Sequence, residues 1–157
     1  MKQDKFLTGI LIGIGVLILL ALGLFFLRQD KREYVADTSP EGVVHNYVLA
    51  VLNKDYQRAY GYLADIENKP TYEEFRQAFF NGMVNPGDVG VEVVSTEINE
   101  DEAVVTLSVY YSNTDLFSSR YASEDRALLV EQNGEWKLNS MPYNFWSYSW
   151  YQEQPKP

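Results

Sequence analysis

The sequence predicts an α+β fold in which an apolar N-terminal helix precedes three helices packed on a curved, cone-like, four-stranded antiparallel sheet. Two observations carry this prediction. Apolar side chains recur at helical spacing over residues 39–81, and they alternate with the period of a strand over residues 89–140. A run of helices followed by a run of strands with short turns is typical of α+β proteins, not of alternating α/β proteins.

Residues 6–27 form an uncharged apolar run between a short charged head, residues 1–5, and a charged linker, residues 28–38. As a helix this run would extend roughly 33 Å, and a bilayer's hydrocarbon core is about 30 Å thick. A cleaved signal peptide fits less well, because the run is long and ends without a small-x-small site. We therefore expect an uncleaved transmembrane helix that contacts membrane lipid.

The location expected from this helix is the cell membrane, with a single pass and an extracytoplasmic globular domain. The short head favours a cytoplasmic N-terminus, although Lys and Arg residues near the two ends do not distinguish the orientations. Gly9 and Gly13 have the small-xxx-small spacing that allows two helices to approach closely. The predicted helix-packing stripe consists of Gly9, Gly13, Val16, Leu20 and Gly23. Chance is the alternative, since Gly is common in membrane helices.

Three helices are predicted in the globular domain, residues 39–141. Ser39-Pro40 is an N-cap followed by proline at the first helical position, and the helix should end near Asn53. A second helix should follow almost at once, with Tyr56, Ala59, Tyr60 and Leu63 at helical spacing, and Asn68-Lys69-Pro70 breaks it. Thr71 and Glu74 form a capping box that opens a third helix, which Asn81-Gly82 ends.

Four strands follow. The alternation of apolar residues changes phase at Val93-Val94, which predicts a β-bulge in the first strand. Residues 103–111 alternate strictly, and residues 112–119 are predicted to be a loop. Residues 120–132 form the third strand, with Ala122, Leu128 and Val130 predicted on one face. Asn133-Gly134 is a strong hairpin signal leading to residues 135–140.

Composition excludes several classes of function. A formal net charge of −9 disfavours nucleic-acid binding, because an acidic surface repels phosphate. With no cysteine, the chain has no thiol chemistry, no disulfide and no Cys-ligated zinc. The acidic residues Glu97, Glu100, Asp101 and Glu102 lack the pattern of a calcium loop and indicate a solvated turn. His45 and Glu41 are interpreted as surface residues, although their helical spacing would suit an acid–base pair. We therefore predict no cofactor, no metal and no catalytic residue.

The segments Ser39 to Val44, Tyr47 to Leu52 and Asn53 to Tyr60 together resemble the opening of bacterial nuclear-transport-factor-two-like domains. Asn133-Gly134-Glu135-Trp136-Lys137-Leu138 resembles the last hairpin of such domains. The resemblance covers residues 39–141 and implies the cone-like α+β fold. It is weakly specific for function, because this superfold includes isomerases, dehydratases, ligand carriers and scaffolds. Isomerase-like members combine a Tyr donor with a buried Asp or Glu, and no acid is evident on the predicted inward faces here. Tyrosines that would line a cone cavity are Tyr47, Tyr56, Tyr60, Tyr110 and Tyr111.

The C-terminal segment, residues 142–157, is rich in aromatic residues: Tyr143, Phe145, Trp146, Tyr148, Trp150 and Tyr151. A monomer is not expected to leave such a stripe in water. The segment either folds back over the sheet or the cavity mouth, binds a partner subunit, or lies at a bilayer interface.

The function expected from these observations is that of a non-catalytic, membrane-anchored scaffold or accessory subunit of a larger assembly, with protein partner subunits. The alternative is a ligand-binding or isomerase-type enzyme that uses the cone cavity. The identity of a small-molecule ligand does not follow from the sequence.

Overall fold

A computed structural model of the protein describes residues 5–27, 33–87, 89–111 and 121–152. The predicted head, part of the linker, the loop 112–119 and the last residues of the tail therefore lie largely outside the described residues. The chain divides into two compact units, Met1–Glu33 and Tyr34–Pro157. The first unit contains helix α1, Lys5–Leu27.

Across the described residues, no helix combines the length and the apolar character needed to cross a membrane. On this finding, the predicted transmembrane helix over residues 6–27 is wrong. The transmembrane part of the predicted fold class and the single-pass location in the cell membrane are corrected with it.

The second unit has the predicted α+β order. Helices α2 (Pro40–Leu52), α3 (Tyr56–Gly61) and α4 (Tyr72–Phe80) precede strands β1 (Val89–Asn99), β2 (Glu102–Tyr111), β3 (Tyr121–Gln132) and β4 (Glu135–Ser140). The four strands form one antiparallel sheet in the order β1-β2-β3-β4.

The helix starts confirm the capping predictions. The Ser39 hydroxyl accepts a hydrogen bond from the Gly42 amide at 3.3 Å, ahead of Pro40 at the start of α2. In α4 the Thr71 hydroxyl accepts from the Glu74 amide, and the Glu74 carboxylate accepts from the Thr71 amide at 2.8 Å. Gly42 is required for close approach, because a Cβ there would collide with the Ala36 carbonyl oxygen.

The sheet confirms the predicted bulge, since the β1–β2 register shifts between Val93 and Ser95. It also confirms the Asn133-Gly134 hairpin, in which both residues have positive φ, 56° and 80°. The outer edge of β4 is partly covered: Leu138 donates its amide to the Tyr62 carbonyl at 2.7 Å and accepts from the Ala64 amide at 2.8 Å.

The predicted face of β3 is wrong. Ala127 and Leu129 are buried, whereas Leu128 is 39% exposed and Ala122 is exposed. The cross-strand register gives the reason, because Ala127 and Leu129 lie opposite Val105 and Ala103, the buried residues of β2. Directly opposite residues share a face of the sheet, so the other side chains of β3 point away from the helices.

Candidate functional site

The aromatic residues of the C-terminal segment are divided between the core and the surface. Phe145, Trp146 and Trp150 are 0%, 5% and 5% exposed. The Trp150 ring lies 4.9 Å from the Phe75 ring and 5.0 Å from the Trp146 ring, measured between centroids. The segment therefore packs on the helices of its own domain.

The remaining tyrosines of this segment lie farther out. Tyr148 is 75% exposed and Tyr143 is 49% exposed. Tyr151 is half-buried, stacks on Trp146 at 5.8 Å and donates its hydroxyl to the Ala64 carbonyl at 2.5 Å. Burial raises the pKa of the Tyr151 hydroxyl far above its ordinary value.

The five tyrosines predicted to line a cone cavity do not face one common space. Tyr47 is fully buried and donates to the Phe145 carbonyl at 2.7 Å, and Tyr60 donates to the Pro70 carbonyl at 2.8 Å. Tyr110 donates to the Glu92 carboxylate at 2.8 Å, on the face of the sheet opposite the core. The space between helices and sheet is filled around Tyr47 by the domain's own side chains.

Tyr111 instead belongs to a polar cluster at the end of β2. Its hydroxyl lies 2.9 Å from that of Tyr143 and 3.3 Å from the Asn144 side-chain oxygen. Ser123 and Asp125 lie opposite the buried residues Val109 and Leu107, so both belong to the inner face of the sheet. The hydrogen bond with Tyr143 is the main cause that raises the pKa of Tyr111, and burial is the second.

Asp125 was missed by sequence reasoning. Because the wrong face of β3 was predicted to be buried, this carboxylate was assigned to the solvent-facing side of the sheet. The signal in the sequence is the alternation Ser123, Asp125, Ala127, Leu129, whose second half is apolar.

A groove of about 910 Å³ lies on the helical side of the domain. We call it the α3–α4 groove. It is lined by the end of α2, the start of α3, one face of α4 and the loop 82–87. Of the predicted cavity tyrosines, Tyr56 is the one that lines it.

Aromatic rings form the floor of the α3–α4 groove. Tyr56 stacks on Phe79 with centroids 4.9 Å apart, and its ring meets the Phe80 ring edge-on at 5.8 Å. Phe80 is 63% exposed, so much of this large apolar side chain contacts solvent at the groove.

Charged groups stand beside this floor. The Arg76 guanidinium lies 5.3 Å from the Phe80 ring centroid, and one of its Nη atoms is 3.1 Å from the Glu73 carboxylate. The Arg76 Nε atom is buried and has no hydrogen-bond partner among the described residues. Lys54 lines the groove in a left-handed conformation, φ 59°, and Asp55 caps α3 by accepting from the Arg58 amide.

The other predicted features do not converge on a site. His45 is exposed on α2, and no group of three or more potential metal ligands occurs among the described residues. An added Cβ at Gly9, Gly13 or Gly23 would meet open space. Val16 and Leu20 of the same stripe are 50% and 58% exposed, so the predicted packing role stays a prediction.

No protein-family model matches the chain, and no curated protein is similar to it in sequence. Among solved structures, it is similar to a SEC-C motif containing protein from Rhodopseudomonas palustris. That match has 10% identity, a TM-score of 0.47, and covers 68% of this chain and 79% of the other. A calcium/calmodulin-dependent protein kinase type II association-domain-like protein from Thiobacillus denitrificans matches with 11% identity and a TM-score of 0.47. This match covers 64% of this chain and 89% of the other. Neither likeness bears on function.

Proposed function

We propose that this protein is a non-catalytic scaffold or accessory subunit that binds a partner protein in the α3–α4 groove. The observation that carries the proposal is Phe80, which is 63% exposed on the floor of a groove of about 910 Å³. Exposed aromatic residues in concave surfaces are typical anchors of protein interfaces. The resemblance to nuclear-transport-factor-two-like domains is part of the proposal, and the helices packed on an antiparallel sheet support it.

The distribution of aromatic side chains favours surface recognition over an interior site. Tyr47, Phe75 and Phe145 fill the space between helices and sheet with no exposed area. The hydroxyl of Tyr47 is already bonded within the domain, to the Phe145 carbonyl. An apolar ligand entering this space would have to displace side chains that are packed at the density of a protein interior.

Site-specific photocrosslinking in the native cells tests the proposal. A photoreactive phenylalanine analogue at position 80 should give a discrete adduct with one partner protein. The matched control is the same analogue at position 148, where Tyr148 is 75% exposed outside the groove. Equal crosslinking at both positions, or none at position 80, contradicts partner binding in the groove.

The second candidate is a ligand-binding or isomerase-type enzyme, and the position of Asp125 favours it. Asp125 lies on the inner face of the sheet, where its charge acts on the Tyr111 hydroxyl, and Tyr111 in turn contacts the Tyr143 hydroxyl. A carboxylate and phenol hydroxyls are groups that acid–base chemistry uses. Ligand-observed NMR with a library of small carbonyl and hydroxyl compounds tests it. Binders should weaken when Asp125→Asn or Tyr111→Phe is introduced, and binding that is unchanged in both variants excludes this candidate.

A further inference from the structure

We infer that the segment bound in the α3–α4 groove is a peptide of the partner in which a carboxylate lies next to an aromatic or branched aliphatic side chain. This inference rests on the proposed function and names the chemistry of the partner. It follows from the floor of the groove, from the hydrogen-bonding state of Arg76 and from the charge around it.

The floor selects an apolar side chain. Tyr56 and Phe79 are stacked and half-buried, which holds Phe80 in place against them. The outer surface of Phe80 is open to solvent. A side chain that covers this ring removes apolar area from water on both partners, which is the main favourable contribution to association.

Arg76 selects a carboxylate beside that side chain. Its Nε–H is buried without an acceptor among the described residues, and a buried donor without a partner is destabilising. The guanidinium is a planar fork that matches a carboxylate with two parallel hydrogen bonds. Its present partner, Glu73, is 59% exposed at the i−3 position, and such surface pairs contribute little to stability. An incoming carboxylate can therefore replace Glu73 at low cost.

The surrounding charge distinguishes the groove from the rest of the surface. The protein has a formal net charge of −9, so an acidic segment is repelled over most of the surface. At the groove, the positive charges of Lys54 and Arg76 offset the carboxylates of Asp55, which caps α3, and of Glu73, which pairs with Arg76. An acidic segment therefore meets less repulsion at the groove than elsewhere, and this difference determines the register of binding more than its strength.

A random-peptide display library selected on the full-length protein is the test. Enriched peptides should carry Asp or Glu within two positions of Phe, Trp, Tyr, Leu or Ile. A fluorescent peptide with the enriched sequence should bind Arg76→Gln about tenfold more weakly than the unaltered protein. Arg126→Gln is the matched control, because it removes the same charge from an exposed position on the opposite face of the sheet, and its affinity should stay within about twofold.

A third variant, Phe80→Ala, separates this inference from the proposed function. If Phe80→Ala abolishes peptide binding while Arg76→Gln has no effect, the groove binds peptides but the carboxylate is not recognised, and the inference is overturned. If neither variant weakens binding, the proposed function fails as well. Self-association that is seen by analytical ultracentrifugation and lost in Phe80→Ala identifies a second copy as the occupant and also overturns the inference. Circular dichroism melting confirms that each variant is folded.

Discussion

Tyr47 shows how one residue connects distant parts of the chain. It lies on α2, is fully buried, and donates its hydroxyl to the Phe145 carbonyl, 98 residues away. Its ring lies 6.2 Å from that of Trp146. Burial, and then the proximity of Tyr151, raise the pKa of the Tyr47 hydroxyl well above its ordinary value of 10.0. The folded state therefore favours the protonated, neutral form of the Tyr47 hydroxyl.

Tyr47→Phe should lower the free energy of unfolding by about 1–3 kcal/mol, because the buried Phe145 carbonyl loses its donor. The raised pKa means that this contribution is complete below pH 10 and is lost as pH rises toward the folded-state pKa. The variant should consequently lose less stability than the unaltered protein between pH 8 and pH 11. Urea denaturation at both pH values measures this, with Tyr148→Phe as the exposed control. Identical alkaline losses in the Tyr47 variant and the unaltered protein would contradict it.

At the scale of the element, helix α4 has two faces with separate tasks. Phe75 and Ala78 are buried against the core, whereas Phe79 and Phe80 border the groove. The capping box positions both faces, because it sets where the helix begins. The hydrogen bonds from the Thr71 amide and hydroxyl lower the pKa of the Glu74 carboxyl below its ordinary value of 4.5.

Thr71→Ala should lower the free energy of unfolding by about 1 kcal/mol at pH 7, since it removes the hydroxyl that caps the helix. Thr71→Ser is the matched control and should retain most of the stability. Thermal unfolding followed by circular dichroism measures the difference. A loss of stability as large in Thr71→Ser as in Thr71→Ala would show that the hydroxyl is not responsible.

The same cap contributes a pH dependence. A lowered pKa in the folded state means that the stabilising effect of the Glu74 carboxylate is present above pH 4.5 and is lost as pH falls below it. Glu74→Gln retains a hydrogen-bond acceptor but does not titrate. Its stability should therefore fall less than that of the unaltered protein between pH 6 and pH 3. Parallel acid profiles for the two proteins would exclude this contribution.

At the scale of the whole molecule, the C-terminal segment completes the core of the unit Tyr34–Pro157. Trp150 is 5% exposed and contacts the Phe75 and Phe79 rings of α4, at 4.9 Å and 6.2 Å between centroids. Phe145 is fully buried and accepts the hydrogen bond from Tyr47. The segment follows β4 in the sequence and returns to pack against the helices.

Trp150→Ala should lower the free energy of unfolding by about 3–5 kcal/mol, the usual range for removing a buried large aromatic side chain. Tyr148→Ala, two residues earlier and 75% exposed, should change it by less than about 0.5 kcal/mol. Chemical denaturation of both variants gives the comparison. A Trp150→Ala variant within 1 kcal/mol of the unaltered protein would show that the segment is not part of the core.

Local patterns predicted most of the fold correctly. The caps at Ser39 and Thr71, the bulge at Val93-Val94 and the Asn133-Gly134 turn are confirmed, because each depends on residues close together in the chain. The prediction of a membrane helix over residues 6–27 is wrong, because no helix among the described residues is long and apolar enough to cross a membrane. The face of β3 was wrong because Leu128 and Leu129 are both apolar, and the choice between them depends on the register with β2.

The sequence by itself determined the order of the helices and strands and the acidic, cysteine-free character of the chain, since backbone propensity, capping and composition are local properties. Tertiary structure alone decided that Trp150 enters the core while Tyr148 stays in water, that Asp125 lies on the inner face, and that Phe80 remains exposed beside Arg76. These outcomes depend on how elements far apart in the chain pack and pair. Which of two nearby aromatic residues is buried depends on contacts with residues that are distant in the chain, and the local pattern does not contain them.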